Sequence, residues 1–321
     1  MRLVVQLPAL NEERTIADVI RRIPRAVPGV DDIRVVVVDD GSTDRTGALA
    51  AAAGAVVVRH ERRRGVGAAF RSGIERSAAL GADVIVTIDA DGQFDPADIP
   101  KLVAPVVSGE ADFVTASRFM DKALEPRMPW AKRWGNDFMA RWISALVGQS
   151  FYDVSCGFRA YGRNAFLRLV LLGEFTYTHE TFLNLAFSRA AIKEVPVRVR
   201  GEREYGKSRV ASSVWRYGWR AAAIILKTYR DYKPLRFFGY LALALFVAAL
   251  GFAAFLIAHK IETGMLTPHK WAGFVAGALT GAALAVYLVG IVAEMLDRMR
   301  VAMEELLYRV RRLEHRLNRE P

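Results

Sequence analysis

Cysteine is almost absent from this chain: Cys156 is the sole one in 321 residues. With one thiol no internal disulfide can form, which excludes a disulfide-stapled secreted scaffold and a cysteine-rich zinc site, and fits a reducing cytosolic setting. Acids are in deficit, with 34 Asp and Glu against 45 Lys and Arg and a formal net charge of +11. Such a surplus points to an anionic partner, and nucleic acid, an acidic membrane surface and phosphorylated substrates all qualify. The N-terminal stretch MRLVVQLPALNEE lacks the long apolar core of a signal peptide, because its short apolar run meets Pro8 and then acids; it reads as a first strand. Gly65 and Gly67 lack the third glycine of a dinucleotide-binding turn, so they read as a simple turn into a helix.

What is present is a 52% hydrophobic chain, enough for one large core or two smaller ones. From residue 1 to about 115, Val/Ile-rich runs (RLVVQL, IRVVVV, AVVV, DVIVTI, DFVTA) alternate with helical patterns at 12–23, 44–52, 66–80 and 97–107. This alternation argues for βαβ units and a doubly wound α/β sheet, with ligands at the carboxyl ends of the strands. Three polar clusters fall there: PALNEE, DDGSTD and DADGQ. One site built from three loops is the economical expectation.

Residues 116 to 210 are less regular, with helices expected at 131–147, 163–171 and 179–188 and a strand at IKEVPVRV. Over 210–234 an apolar face through Val214, Tyr217 and Ile224 opposes Arg216, Arg220, Lys227 and Arg230, the pattern of an interfacial amphipathic helix on anionic lipid. A soluble amphipathic helix has the same pattern, but two charge-free apolar runs follow, Phe237 to Ala258 and Trp271 to Ala293. Each is long enough to span a bilayer, giving spans at 235–258 and 271–293. Basic residues flank the pair from outside (Lys233, Arg236, Arg298, Arg300), which by the positive-inside rule places both termini and the α/β domain in the cytoplasm. Since the basic residues gather beside the spans and not on an aromatic-studded face, nucleic acid is not the expected partner. In the tail, 294–321, Leu296, Met299, Met303, Leu306, Val310, Leu313 and Leu317 recur at alternating spacings of three and four. That spacing suggests a cytosolic coiled coil pairing protomers; a helix packed on its own domain is the alternative.

Asp89, Asp91 and Gln93 close a β-branched strand at every second position and offer hard oxygen donors, suited to Mg²⁺ or Mn²⁺. Asp and Gly also populate ordinary turns, but Asp39 and Asp40 close the second strand and Pro8, Asn11 and Glu12 the first. In this order and spacing, PALNEE, VDDGSTD and DADGQ resemble the inverting GT-A glycosyltransferases of family 2. SCGFRAY (155–161), GKSR (206–209) and the two trailing spans resemble its polyprenyl-phosphate hexosyltransferases, the group containing dolichyl-phosphate mannose synthase and undecaprenyl-phosphate glucosyltransferases; the likeness runs from 1 to about 295.

The resemblance implies a GT-A domain over 1–209: a mixed, mostly parallel sheet with helices on both faces. It implies a donor pocket lined by Pro8, Leu10, Asn11 and Glu12, with Asp39, beside Asp40, near the base or ribose, and a metal held by Asp89, Asp91 and Gln93. Arg118 and Arg203 would bind phosphate oxygens, Ser208 and Arg209 would close over the donor, and Arg133 and Asn136 would meet an acceptor phosphate or simply face solvent. Glu180 falls where relatives that glycosylate hydroxyls place a general base, or is a helix N-terminal acid. Asp153 would orient the acceptor or pair with Arg159. Arg64 stands where relatives carry Asn, and His179 and Cys156 read as structural. The implied partners are a nucleotide sugar, a polyprenyl phosphate and the bilayer. A lipid hydroxyl acceptor and a catalytically silent, nucleotide-binding membrane scaffold are the competing readings.

Overall fold

The computed structural model describes residues 1–126, 128, 130–170, 177–188, 190–200, 223, 226, 227 and 229–317. A seven-stranded sheet of order β3-β2-β1-β4-β6-β5-β7 forms its centre. The strands are β1 (Arg2–Ala9), β2 (Asp32–Asp39), β3 (Val56–Arg59), β4 (Val84–Thr87), β5 (Phe113–Ser117), β6 (Arg159–Gly162) and β7 (Ile192–Pro196). β1 pairs in parallel with β2 and β4, β2 with β3, and β5 with β7; β6 runs antiparallel between β4 and β5. The sheet is therefore mixed but mostly parallel, as anticipated.

Around it lie α1 (Ile16–Arg21), α2 (Thr46–Ala52), α3 (Val66–Ala79), α4 (Ile99–Val107), α5 (Trp130–Val147), α6 (Arg163–Arg168) and α7 (Thr178–Phe187). Helices cover both faces, which is why β1, β2 and β4 are near-continuous apolar runs rather than alternating ones. Leu3, Val5, Leu7, Val37, Val84 and Val86 point into one core with Ile16 and Ile20 of α1 and Leu102 and Val103 of α4. Their neighbours Val4, Val36, Val38 and Ile85 point into the other, with Phe70 of α3, Ile143 of α5 and Phe182 of α7. The period of two divides each strand between two cores.

β6 had no counterpart among the expected strands. It has only four residues and starts with an arginine, so neither length nor alternation marks it; its pairing is supplied by β4 and β5 on either side, through Thr87↔Arg159 and Thr115↔Arg159.

The chain divides into two compact units, Met1–Ile225 with Glu305–Pro321, and Leu226–Glu304. The second holds α8 (Pro234–Thr263) and most of α9 (Lys270–Leu317), both long and apolar enough to cross a membrane. Gly290 lets these helices approach: a Cβ there would come within 2.9 Å of the Phe238 Cβ. Arg300 pairs with Asp297 and Glu304 on its own helix and lies 3.9 Å from the centre of the Tyr232 ring. Most of the expected interfacial helix lies outside the described residues.

The end of α9 belongs to the first unit. Tyr308 Oη donates to Asn164 (3.0 Å), Arg311 donates to the carbonyl of Leu169 (2.7 Å), and His315 Nδ1 lies 3.2 Å from the Ala78 carbonyl. The tail thus packs on its own domain, the second of the two readings, but through residues between the heptad positions: Leu306, Val310, Leu313 and Leu317 all remain at least half exposed.

Phe113 is fully buried, with ring centres 5.0 Å from Tyr161 and 5.9 Å from Phe182. We expect Phe113→Ala to cost about 3–5 kcal/mol, as for other buried aromatic truncations, measured as a lowered denaturant midpoint of the purified protein. A midpoint within error of the parent's would contradict this account of the core.

Candidate active site

The loops after β1, β2 and β4 emerge at one edge of the sheet because these strands are adjacent and parallel. Asn11, at φ 50°, turns the first loop, a left-handed conformation that Asn tolerates better than most residues. Its backbone N–H donates to Ser42 Oγ (2.9 Å), and its side-chain oxygen accepts from Thr43 N–H (2.8 Å). Glu12 N–H donates to Thr46 Oγ1 (2.8 Å) and Glu13 N–H to Asp44 (3.2 Å). Loops one and two are therefore stitched together strand-end to strand-end. Thr15 Oγ1 joins the third by donating to the Ala90 carbonyl (2.7 Å).

Asp39 and Asp40 have different tasks. Asp39 is buried, accepts from Ser42 N–H (2.8 Å) and lies 3.7 Å from Arg59 Nε. Asp40 is consumed by structure: it accepts from the N–H groups of Arg64 and Gly65, each at 2.8 Å, and meets His60 Nδ1 at 2.8 Å. Arg64 is thus held by its backbone. Burial pushes the Asp44 carboxyl up, but hydrogen bonds from Thr46 and the Glu13 N–H outweigh it and keep the group below its ordinary range.

After β4, Asp91 is buried and accepts from Gln93 N–H (3.0 Å), a turn that closes the DADGQ loop. Asp89 and Gln93 are half-buried. Gln93 is tied to Arg200: its carbonyl accepts from Arg200 N–H (3.0 Å) and its amide donates to the Arg200 carbonyl (3.4 Å). Among the described residues no group of three His, Cys, Asp or Glu side chains forms a complete metal cage. The loop instead carries two carboxylates and a carboxamide, which fit a Mg²⁺ or Mn²⁺ ion that takes its remaining ligands from phosphate and water. Gly157 supports the fit from below, since a Cβ there would sit 3.2 Å from Asp89 Oδ2 and 3.3 Å from Tyr177 Oη.

A basic region follows β5. Arg118 grips Asp153 through Nε (2.6 Å) and Nη2 (2.9 Å), and also donates to Ser155 Oγ (2.7 Å), which in turn donates to Asn136 (3.0 Å). Arg118 and Arg133 both lie against the Phe119 ring, 5.1 and 4.3 Å from its centre, and Arg133 pairs with Glu125. Asp153 therefore pairs with Arg118 and not with Arg159. The bidentate fork reaches it first, while Arg159 is spent on the carbonyls of Thr178 (2.8 Å) and Val154 (3.0 Å). Burial raises the Asp153 carboxyl, but the guanidinium beside it prevails and holds it below the usual range.

Glu180 sits half-buried in the first turn of α7. Its neighbour His179 is buried, and burial followed by the nearby Arg159 charge lowers it to about 4, so it is neutral at pH 7. Burial likewise pushes Cys156 up to about 12, leaving an inert thiol. Pro8 and Leu10 are half-buried at the end of β1, with Pro8 opposite Val38. Arg203, Ser208 and Arg209 lie outside the described residues. Sequence reasoning missed Tyr177, which stacks on Phe70 at 4.0 Å and reaches the Gly157 carbonyl. An aromatic between two threonines carries no mark of its partner.

A mixed α/β sheet with acidic loops at the carboxyl edge of its parallel strands is the architecture of a GT-A glycosyltransferase. Residues 4–170 match Glycosyl transferase family 2, and the chain belongs to that family. Polyprenol monophosphomannose synthase of Mycolicibacterium smegmatis is 29% identical over 222 residues, covering 66% of this chain and 82% of the relative. UDP-N-acetylglucosamine–dolichyl-phosphate N-acetylglucosaminyltransferase of Methanococcus voltae is 31% identical over 176 residues, covering 50% and 68%. Among solved structures, glucosyl-3-phosphoglycerate synthase of Mycobacterium tuberculosis, in complex with Mn²⁺, uridine diphosphate and glucosyl-3-phosphoglycerate, matches with a TM-score of 0.56 and 28% identity. That match covers 70% of this chain and 79% of the synthase.

Two outcomes follow from this geometry. Gly157→Ala should press on Asp89 and lower activity at least about 10-fold while leaving the melting temperature within a few degrees; unchanged turnover would show that Asp89 has room to spare. A carboxyl depressed in the folded state stabilises above its unfolded-chain value, near pH 4, and that stability fades as pH falls through the lower folded value. Asp153→Asn should therefore destabilise by about 3–5 kcal/mol at pH 7, the cost of stranding one partner of a buried pair. The gap from the parent protein should narrow below about pH 4. A gap that stays constant across pH would mean that Asp153 is not charged in the fold.

Proposed function

We propose that this protein transfers a hexose, with inversion, from a nucleoside diphosphate sugar to a polyprenyl phosphate at the cytosolic membrane surface. The observation that carries this reading is an acidic rim of joined loops at the same sheet edge as the end of β5, after which Arg118 follows, in a chain that also has two membrane-length helices. The names of the Mycolicibacterium and Methanococcus relatives support the acceptor class, and the Mn²⁺ complex of the solved synthase supports a divalent cation.

In this reading Pro8, Leu10, Asn11, Glu12 and Asp39 bind the nucleotide, with Asp40 holding the Arg64–Gly65 backbone at its edge. Mg²⁺ or Mn²⁺ held by Asp89, Asp91 and Gln93 would neutralise charge on the departing diphosphate. Arg203, Ser208 and Arg209 close over the donor. Arg133 and Asn136, with Arg118 oriented by Asp153, hold the acceptor phosphate. One of its oxygens attacks the anomeric carbon, the bond from that carbon to the diphosphate breaks, and the electron pair leaves with the nucleoside diphosphate. Attack opposite the leaving group converts an α-linked donor into a β-linked product. A phosphate is already ionised near neutral pH, so no strong base is needed; catalysis rests on positioning two anions and balancing their charge. His179 stays neutral and Asp153 stays paired, consistent with that economy. The amphipathic segment 210–234 and the spans at 235–258 and 271–293 would keep domain 1–209 at the lipid surface, where the headgroup meets the sugar without leaving the bilayer.

The test offers purified protein labelled GDP-mannose, UDP-glucose or UDP-N-acetylglucosamine with undecaprenyl phosphate, dolichyl phosphate or diacylglycerol, followed by lipid extraction. Label should enter a polyprenyl phosphate in a chelator-sensitive manner, and Glu180→Gln should keep turnover within about 10-fold, less than the loss expected from deleting a general base. Label in diacylglycerol that Glu180→Gln abolishes would establish a hydroxyl acceptor instead; donor binding without transfer to any lipid would mark a silent scaffold.

A further inference from the structure

The tail of α9 shows two unlike faces. Tyr308 and His315 are buried against the first unit, and Arg311 reaches its carbonyls. Leu306, Val310, Leu313 and Leu317 project elsewhere with 62, 50, 59 and 68% of their surface exposed. In heptad lettering Val310 and Leu317 are a positions, Leu306 and Leu313 d positions, and Tyr308 and His315 both f positions, opposite the a/d seam. The same a/d spacing runs back through Met303 and Met299 on this continuous helix. Docking to its own domain has therefore consumed one side of the tail and left, among the described residues, a second apolar seam exposed as a contiguous row rather than as scattered single residues.

We propose that this seam is covered by the same seam of a second copy of the chain, the two tails lying parallel. Charge on its borders selects that occupant. The g position beside Val310 is Arg309, which pairs with Glu305 on its own helix (3.0 Å), and the following e position is Glu314; in a parallel pair each Arg309 also lies opposite the Glu314 of the partner copy. An antiparallel pair would bring Arg309 against Arg309 or Arg316. An anionic bilayer would favour bases on both borders, whereas one border here carries Leu307 and Glu314. Val at an a position with Leu at d favours two strands over three or four. Copies inserted with one topology present α9 in one direction, and confinement to a membrane raises the effective concentration of so short a seam.

Cys156 is 1% exposed and is the sole cysteine, so an introduced thiol reports alone. Full-length Leu313→Cys in membrane vesicles, mildly oxidised, should give a disulfide-linked dimer as the main species, and Arg312→Cys, one residue off the seam, at least about 5-fold less. In that background Arg309→Glu or Glu314→Arg should each lower the dimer fraction, and the two together should restore it. Equal cross-linking at 312 and 313, or none at either, overturns the proposal. So does a Leu313→Cys thiol that is shielded from a water-soluble maleimide without forming dimer, since lipid or another protein would then cover the seam. These residues lie outside the proposed transfer machinery, so failure here leaves the transferase reading intact.

Discussion

The site depends on loops that are held by one another. Hydrogen bonds from Asn11 and Glu12 to Ser42 and Thr46, and from Thr15 to the Ala90 carbonyl, lock three strand ends into a single rim. The parallel register makes this possible by placing Ala9 beside Asp39 and Gln6 beside both Val36 and Thr87. Buried acids at such a rim would repel one another in a bare crevice. Asp40 escapes by accepting two backbone N–H groups and pairing with His60, and Asp39 by meeting Arg59. Under the proposed function, Asp89 and Asp91 would be the carboxylates that hold the cation of a bound diphosphate.

A second rule governs the basic side. An arginine offered to a phosphate must be aimed before the phosphate arrives, or its side-chain entropy is lost on binding. Asp153 does the aiming: it is fully buried, takes both arms of the Arg118 fork and keeps its negative charge because of it. The same contact lowers the Asp153 carboxyl, which makes it a weak base.

Much of the architecture was legible in the chain because its signals are local. Val/Ile runs interrupted by helical spacing give a parallel α/β core, and the polar strings that close those runs mark the rim; β1, β2, β4 and β5 fall where the runs do. Apolar runs of membrane length are as plain. What stayed hidden is long-range. β6 is four residues whose strand character comes entirely from β4 and β5. The choice of Arg118 over Arg159 for Asp153 turns on which guanidinium the fold brings near, and nothing in SCGFRAY states it. The three-and-four spacing of the tail is plain in the chain, yet spacing alone does not reveal that Tyr308 and His315, on the other side, dock the helix to its own domain.

In the proposed function the acidic rim holds a divalent cation jointly with a nucleoside diphosphate. Electron paramagnetic resonance of Mn²⁺ titrated into the full-length protein addresses it without any turnover. The free-ion signal should fall sharply when UDP or GDP is added with the parent protein and fall no further than with nucleotide alone for Asp91→Asn. Equal loss of signal for both proteins would contradict the account.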